Sequence, residues 1–559
     1  MRFLRLLTNS LLAGALGAAY LTILVLQLNP QVPLVSETVW RWYLTLGVFY
    51  GLHLALLFYV TMLLREFVSV DIFSPGWISV RLLAWLSAAA AAAAGTLMWL
   101  NLRGFPALFD EAAARRFTFG AAATTASAVV LLGIAIAHYS YGRRGSRVGA
   151  ALLVIAIVGS LALPIAARGA GGEPPLGARR VQLAAPAVRQ SARISILMLD
   201  GASLEYIWPR VAAGRLPNFG RLLDAGAWTD LATVRPTQPG PVWTAVATGM
   251  YPSKNGVRSP ASYFAYGDTR AIDILPSHCF SHILVRLGIV RDEAASSAAL
   301  RARPIWSVLG DYGITSGVVR WPLTYPAQPI DGFLITDRFH QMVGSMFEFD
   351  GRAAYPSDVV ALARDGFARP DASLGWDEAY TGAVGEAAAV HPVQVSAVRY
   401  QAIDTAAHHA LRDTQGDAFG ATPGADPHPF DDLDRAYAAV DRDIGVALER
   451  LASGDLLLVI SGFGMRPVTP AKRLAARVLR DPDVTGTHED APDGFLLAYG
   501  STIAPGRKAR GAIVDVTPTI LYFLGVPIGR DMDGYARADL FAPSFTADRP
   551  ITFIPSHGG

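Results

Sequence analysis

Long apolar stretches dominate the first 167 residues of the chain, whereas the apolar positions that follow come in short runs. Five of the stretches are near the length of about 20 residues that a helix needs to cross a bilayer core. They predict five membrane-spanning helices, at residues 10–28, 42–64, 82–100, 117–141 and 148–167. The first stretch follows two arginines and has a signal peptide as its alternative, which is less favoured because four further spans come after it.

The arginines between these stretches predict how the spans are oriented. With the N-terminus in the cytoplasm, seven arginines lie on the cytoplasmic side of the spans and four on the other side. Short cytoplasmic loops carry an excess of positive charge, and the turn with Arg143, Arg144 and Arg147 is the clearest example here. An odd number of spans then places everything after Arg168 outside the cytoplasm, in the periplasm or at the cell surface.

The pattern changes after the last span. Residues 168–192 are rich in glycine, proline and alanine and are predicted to be a linker. Residues 193–545 alternate short apolar runs with helical patterns, which predicts an α/β domain with a mostly parallel central sheet and helices on both faces. Strands are predicted at 194–199, 317–319, 393–403, 456–460 and 494–498. A surface helix is predicted at 431–451, with Asp441 in solvent, and a tail at 546–559.

Composition supports this division and excludes several classes of protein. Of the 559 residues, 52% are hydrophobic and 17% are charged, against roughly 25% charged residues in an ordinary soluble domain. So apolar a chain is neither a single soluble domain nor disordered. A net charge of +2 gives no basic surplus for nucleic acid. The single cysteine, Cys279, excludes an internal disulfide, a cysteine zinc cluster and an iron–sulfur site.

Three predicted strands end where polar side chains could meet. Asp200 follows the first strand, and Asp404 follows the strand at 393–403, with His408 four residues later on the same helical face. His488 lies in a polar loop ahead of the last strand. One aspartate and two histidines suit a zinc ion with open positions for water or substrate. The alternative is that Asp404 only caps a helix and the histidines are solvated.

Three longer segments resemble a known family. They begin LPNFGRLLDAGAWTD, IWSVLGDYGITSGVV and VDVTPTILYFLGVPIG and occur in this order. They are similar to the type I phosphodiesterase/nucleotide pyrophosphatase family of the alkaline phosphatase superfamily, and the resemblance covers most of residues 193–545. It implies an alkaline phosphatase-like fold and hydrolysis of phosphoesters with two metal ions, usually zinc. It also implies that the segments near 257–300 and 338–392 are cap insertions that select substrate.

The resemblance assigns the metal ligands residue by residue. Asp404, His408 and His488 match the three ligands of one ion, and Asp200 matches the first ligand of the other. The family's second ion also needs a hydroxyl nucleophile and an Asp-His pair, and here the chain departs from the pattern.

Each of these three departures falls on the second ion. Pro239 stands at the nucleophile position, four residues before Trp243, and Gly462 and Phe463 stand where the Asp-His pair belongs. The nearest hydroxyl is that of Thr237. We therefore expect one zinc ion, with the second doubtful, and the usual two-metal mechanism is not supported.

Three hypotheses remain open. The first is a non-catalytic member that keeps the fold and binds a metal or a phosphate-bearing ligand. The second is a one-metal hydrolase or transferase of phosphoesters, possibly lipid headgroups, in which Thr237 or His409 assists. The third is a shifted two-metal site with Thr237 as the nucleophile. The predicted partners are the lipid bilayer and a phosphate-bearing small molecule or lipid headgroup, with no nucleic acid.

Overall fold

A computed structural model describes residues 2–68, 79–140, 147–172, 192–340, 351–367, 376–409, 428–479 and 485–558. Most of the predicted linker and the Arg143–Arg144 turn lie outside these residues. The chain divides into two compact units. The first comprises Met1–Pro175 together with Ala261–Ala294, and the second comprises Leu176–Pro260 together with Ala295–Gly559.

The first unit contains the apolar helices. They are α1 (Arg2–Leu28), α2 (Glu37–Leu46), α3 (Leu52–Val68), α4 (Val80–Gly104), α5 (Glu111–Ser140) and α6 (Arg147–Arg168). The short π-helical turn Gly47–Gly51 joins α2 and α3 into one span, so that five helices among the described residues are long and apolar enough to cross a membrane, as predicted. Each begins before its predicted start, because the helix continues into the polar residues that flank the apolar stretch.

Glycine allows α1 and the second span to pack closely. A Cβ atom added to Gly14 would collide with the backbone carbonyl of Gly51. Small residues are enriched where membrane helices approach, since they bring the backbones into van der Waals contact. Large apolar side chains instead face outward along the spans, among them Leu44, Val48, Leu56, Val130 and Val154.

The segment Ala261–Ala294 also belongs to the first unit. Its two ends, Ala261–Phe264 and Arg291–Ala294, pair as antiparallel strands, and the helix His282–Arg286 lies between them. This segment makes up most of the insertion that the sequence predicts at 257–300. No pattern in the sequence predicted that it packs with the apolar helices.

The second unit is built on a ten-stranded sheet. Its strands are β1 (Ile194–Leu199), β2 (Ala227–Ala232), β3 (Ser316–Val319), β4 (Gly332–Ile335), β5 (Ala354–Tyr355), β6 (Val395–Tyr400), β7 (Leu456–Phe463), β8 (Asp493–Tyr499), β9 (Gly506–Arg507) and β10 (Gly511–Ala512). The order is β9-β2-β8-β7-β1-β6-β3-β4-β5, and β10 also pairs with β2. The central strands β7, β1, β6, β3 and β4 are parallel, whereas β8 runs antiparallel to both of its neighbours.

Helices flank this sheet, and the α/β class is confirmed. The longer ones are Leu204–Ala212, Pro217–Ala225, Pro239–Thr248, Val359–Phe367, Trp376–Val390, 402–409, His428–Glu449, Pro470–Leu479 and Val516–Phe523. The shorter ones are Pro252–Asn255, Ile305–Asp311 and Pro543–Ala547. Because β1, β6 and β7 are parallel neighbours, their carboxyl ends meet at one edge, which is where ligands of such sheets gather.

All five predicted strands are present; the strand at 194–199 has the predicted ends, and the other four have shifted ends. The predicted strand at 393–403 is shorter, because a helix begins at residue 402 and takes Asp404 into its first turn. The predicted strand at 456–460 is longer, since β7 runs on through Gly462 to Phe463.

The expectation of a solvated Asp441 was wrong. Asp441 lies on the helix His428–Glu449 and is 4% exposed. Its carboxylate accepts the backbone N–H groups of Asn218 and Phe219, at 3.0 and 2.8 Å, in the first turn of the helix Pro217–Ala225. These N–H groups have no partner within their own helix, so an aspartate from a second helix acts as their cap.

We expect Asp441→Ala to lower the free energy of unfolding by about 1–3 kcal/mol, because it leaves two buried N–H donors without an acceptor. Asp432→Ala, at an exposed position on the same helix, is the matched control and should change stability by less than about 0.5 kcal/mol. Denaturant unfolding of the full-length chain in detergent measures both. Equal effects of the two substitutions would contradict the capping role.

Candidate metal centre

Asp404, His408 and His488 converge at the carboxyl edge of the sheet. One ligand atom from each of the three side chains lies within 4.8 Å of those of the other two. Asp404 and His408 are one turn apart on the helix 402–409, and the Asp404 Oδ2 to His408 Nε2 distance is 3.6 Å. The ring centroids of His408 and His488 are 5.4 Å apart. His409, the next residue along the helix, is exposed.

Backbone carbonyls fix which nitrogen each histidine presents. His408 Nδ1 lies 2.9 Å from the Gly486 oxygen, and His488 Nδ1 lies 2.6 Å from the Thr237 oxygen. A carbonyl only accepts hydrogen bonds, so each Nδ1 carries the proton and each Nε2 keeps a free lone pair. Burial lowers the pKa of His488, which favours the neutral ring. Metal-ligating histidines are held in this way by a partner on the other nitrogen.

Asp404 is the remaining donor of this group. It is 7% exposed, and its Oδ1 atom has no hydrogen-bond partner among the residues described. Burial, together with the nearby Asp200, raises the pKa of Asp404 to about 6, although His408 and Arg399 oppose the shift. A buried carboxylate whose Oδ1 is unpaired and whose Oδ2 lies 3.6 Å from His408 Nε2 fits a divalent cation, and the donor set is one that zinc prefers.

Asp200, the first ligand expected for a second ion, is paired in a different way. It follows β1 and is fully buried. Its Oδ1 accepts the Trp243 indole N–H at 2.5 Å, and its Oδ2 accepts two N–H groups of Arg399, from Nε at 2.9 Å and from Nη2. Arg399 lies on the adjacent strand β6 and is 6% exposed. The buried guanidinium of Arg399 therefore already neutralises the Asp200 carboxylate, which a second cation would need as a ligand.

The charge state of this pair is well defined. Burial acts to lower the pKa of Arg399, but the attraction of Asp200, with smaller contributions from Asp337 and Asp404, outweighs it and raises the pKa. Arg399 therefore stays protonated at any physiological pH.

Positions 462 and 463 leave no room for metal ligands. A Cβ atom at Gly462 would lie 2.6 Å from Val242 Cγ1, so a side chain there would have to displace Val242. The Phe463 ring is fully buried, and its centroid lies 5.3 Å from that of His488. An apolar ring next to the histidines fills the side of the site where the family's Asp-His pair would bind an ion.

Thr237 borders the histidines, and Pro239 follows it two residues later. Pro239 is the first residue of the helix Pro239–Thr248, a position that tolerates proline because its N–H would be unpaired in any case. Thr237 is 3% exposed, and its hydroxyl oxygen has no hydrogen-bond partner in the part of the chain that the structure describes. Through its carbonyl it contacts His488, so the hydroxyl belongs to a residue that borders the metal group.

Two further groups support the helix that carries Asp404 and His408. The Asp377 carboxylate accepts the backbone N–H of Gln401 at 3.0 Å and of Ala402 at 2.8 Å, at the start of the helix. Arg320 forms a buried ion pair with Asp377. Sequence reasoning missed Asp377 and Arg320, for which spacing offers no signal. It also missed Arg399, although a charged residue inside a buried strand is itself a warning of a special role.

Comparison with known proteins identifies the family. The profile described as type I phosphodiesterase / nucleotide pyrophosphatase matches residues 195–508, more than half of the chain. The chain belongs to this family. The resemblance and the expected alkaline phosphatase-like fold are confirmed, and the family is metal-dependent, usually with zinc. Comparison with curated proteins gives no match.

Among solved structures, murine ectonucleotide pyrophosphatase/phosphodiesterase 5 is 13% identical, with a TM-score of 0.39, over 63% of this chain and 100% of that chain. An inactive variant of the murine protein in complex with AMP is 12% identical, with a TM-score of 0.40 and the same coverage. The human protein is 13% identical, with a TM-score of 0.39, over 62% of this chain and 99% of its own.

We expect Asp377→Asn to weaken zinc binding about 10-fold or more, the usual cost of losing a group that supports metal ligands. The substitution removes the charge that holds Arg320 and the start of the metal-binding helix. Glu378→Gln, at the exposed neighbouring residue, is the matched control. Competition with a chromophoric zinc chelator measures both variants, and equal zinc affinity in the two would rule out the supporting role of Asp377.

Proposed function

We propose that this chain is a membrane-anchored, extracytoplasmic member of the family. It holds one zinc ion on Asp404, His408 and His488 and binds a phosphate-bearing ligand there without the family's two-metal hydrolysis. The observation that carries the proposal is the Asp200–Arg399 ion pair, which commits the expected ligand of the second ion to a guanidinium.

The chemistry of two-metal catalysis explains why it matters that Asp200 pairs with a guanidinium and not with a metal ion. In such sites one ion activates the attacking oxygen and both stabilise the charge on the transferred phosphoryl group. Arg399 supplies a single positive charge and cannot acidify a bound water as a divalent ion does. Loss of even one stabilising donor typically costs about 2.7–4 kcal/mol of transition-state energy. Pro239 removes the nucleophile as well, so the covalent route has neither its hydroxyl nor its second ion.

Binding makes smaller demands than catalysis. A zinc ion held by the three ligands would supply Lewis acidity toward a phosphate oxygen. The two histidines are held in the tautomer that keeps Nε2 available, and Asp404 has a free oxygen. These features favour retention of a metal, whereas Phe463 and the closed space at Gly462 do not favour a second one.

The five apolar helices and the arginine bias support the location. An odd number of spans, with the N-terminus in the cytoplasm, supports a location of the family domain in the periplasm or at the cell surface. A ligand met there is a phosphate-bearing small molecule or a lipid headgroup. The balanced net charge gives no support for nucleic acid.

One observation favours a second candidate, a one-metal hydrolase or transferase of phosphoesters. The Thr237 hydroxyl is buried and unpaired, and its own carbonyl contacts the metal-binding His488. In this candidate Thr237 orients the attacking group or attacks itself in place of the missing hydroxyl at Pro239.

Metal content and turnover of the full-length chain in detergent test the proposal. Mass spectrometry should find one zinc ion per chain, and none after His408→Ala. Phosphomonoesters, phosphodiesters and sulfate esters should all be left uncleaved. Two zinc ions per chain would contradict the proposal. Turnover that disappears in Thr237→Val while the zinc ion is retained would establish the second candidate instead.

The Asp200–Arg399 pair has its own test. Arg399→Met should destabilise the chain by about 3–5 kcal/mol, because it leaves the buried Asp200 carboxylate with its Trp243 hydrogen bond but without a neutralising charge. The double variant Asp200→Asn/Arg399→Met removes both charges, and we expect it to recover most of the lost stability while it keeps one zinc ion. Thermal unfolding of the two variants compares them, and a double variant no more stable than Arg399→Met would refute the ion-pair account.

A further inference from the structure

The segment Ala261–Ala294 is held at one end of the helical bundle by two buried asparagines. Asn29, just after α1, accepts the backbone N–H of Asp273 and of Ile274, each at 3.0 Å, and donates to the Ile274 carbonyl at 2.8 Å. Asn101, near the end of α4, accepts the Ser277 N–H at 2.7 Å and donates to the Ser277 carbonyl at 3.1 Å. Both asparagines are fully buried. The backbone between residues 273 and 277 is therefore fixed on the ends of two helices.

Apolar packing reinforces these hydrogen bonds. The segment contributes Ala265, Ile272, Leu284 and Val290 to one buried cluster. The helices contribute Leu21, Val25, Leu26, Trp42 and Leu46, and the turn between α1 and α2 contributes Val32. Because the segment and the helices share one buried apolar cluster, the segment is packed against the helices and is not a loosely attached loop.

The segment packs against the end of the helical bundle at which the chain continues to the family domain. Helices α1, α4 and α6 all finish at this end. The last residue of α6, Arg168, donates to the carbonyls of Leu26 and Asn29 at 2.6 and 2.9 Å. The chain thus leaves the bundle after Arg168 and comes back to the same end at Ala261.

Contacts along the second span give the depth of the segment. Trp40 and Tyr43 stack on each other near the start of this span, and such aromatic residues mark the headgroup level of a bilayer. Tyr50 lies seven residues beyond Tyr43, about 10 Å further along the helix, and donates its hydroxyl to the Cys279 carbonyl at 2.8 Å. Tyr266 lies near the start of the second span, because its carbonyl accepts a hydrogen bond from Arg41 at 3.4 Å.

The segment exposes apolar side chains directly after Cys279 and at the end of the helix His282–Arg286. Phe280 is 57% exposed and Leu287 is 59% exposed. His278 and Phe280 adopt φ values of 63° and 59°, a left-handed conformation that is rare for bulky residues. Leu44 and Val48, which lie on the second span between Tyr43 and Tyr50, are exposed as well. The spans therefore present an apolar surface at the same depth as Cys279.

We propose that Ala261–Ala294 is a membrane-interface element that inserts Phe280 and Leu287 among the lipids of the leaflet at the end of the bundle where α6 finishes. The occupant of this apolar surface is lipid, because the depth set by Tyr50 and the exposed side chains of the same span place it below the headgroup level. The family domain then has two attachments to the bilayer, one through α6 and one through this insertion. The inference rests on the proposed membrane anchoring.

Site-specific fluorescence tests the insertion in the full-length chain. In a Cys279→Ser background, Phe280→Cys and Tyr266→Cys are each labelled with an environment-sensitive fluorophore and reconstituted into phosphatidylcholine/phosphatidylglycerol vesicles. We expect the label at 280 to shift to the blue and lose fluorescence to a lipid-borne quencher. The label at 266 should respond to aqueous iodide instead.

A third label separates the two ways in which the test can fail. Val154→Cys lies on the exposed surface of α6 and should be quenched from the lipid if the helices span the bilayer. Lipid quenching at 154 together with iodide quenching at 280 would overturn the interface element alone. A label at 280 reached by neither quencher would overturn it too, since protein would then cover the site. Iodide quenching at 154 would overturn the proposed anchoring.

Discussion

The ion pair between Asp200 and Arg399 controls the chemistry of the centre of this domain. A carboxylate at the end of a buried strand is costly unless a positive charge neutralises it. A divalent cation would do so in a two-metal site, and here a guanidinium from the neighbouring strand does so permanently. With Asp200 already paired, the second ion loses its anchor. The positions of its Asp-His ligand pair hold other residues. One is Gly462, where a side chain would collide with Val242, and the other is Phe463, whose ring is buried.

The same pair influences Asp404, one of the three residues that we propose as ligands of the single ion. Burial and, after it, Asp200 raise the pKa of Asp404, whereas His408 and Arg399 act to lower it. Asp404 keeps one unpaired oxygen and lies beside two histidines whose Nδ1 atoms contact backbone carbonyls, which is a good ligand set for a single cation. The two halves of the site are therefore coupled, because the guanidinium that neutralises Asp200 also opposes the rise in the pKa of Asp404.

Features set by local pattern could be predicted from the sequence, whereas those set by tertiary partners could not. The five spans, the five strands and the Asp404–His408 spacing each depend on the periodicity of a single segment. The burial of Asp441 depends on the helix Pro217–Ala225, more than two hundred residues away in the chain. Asp377 likewise acts on a helix to which it does not belong. The asparagines that hold Ala261–Ala294 read as ordinary polar residues at helix ends until their partners are known.

Membrane attachment changes what such a site needs in order to work. A domain tethered next to a bilayer meets lipid headgroups at a high effective concentration, so weak binding at each contact is enough for occupancy. A single metal ion provides less electrostatic attraction for phosphate than a pair of ions does. The loss of the second ion is thus tolerable for a protein that binds a ligand presented at the membrane. It is much less tolerable for an enzyme that must stabilise a phosphoryl transition state, because that stabilisation depends on charge placed at both the attacking and the leaving oxygen.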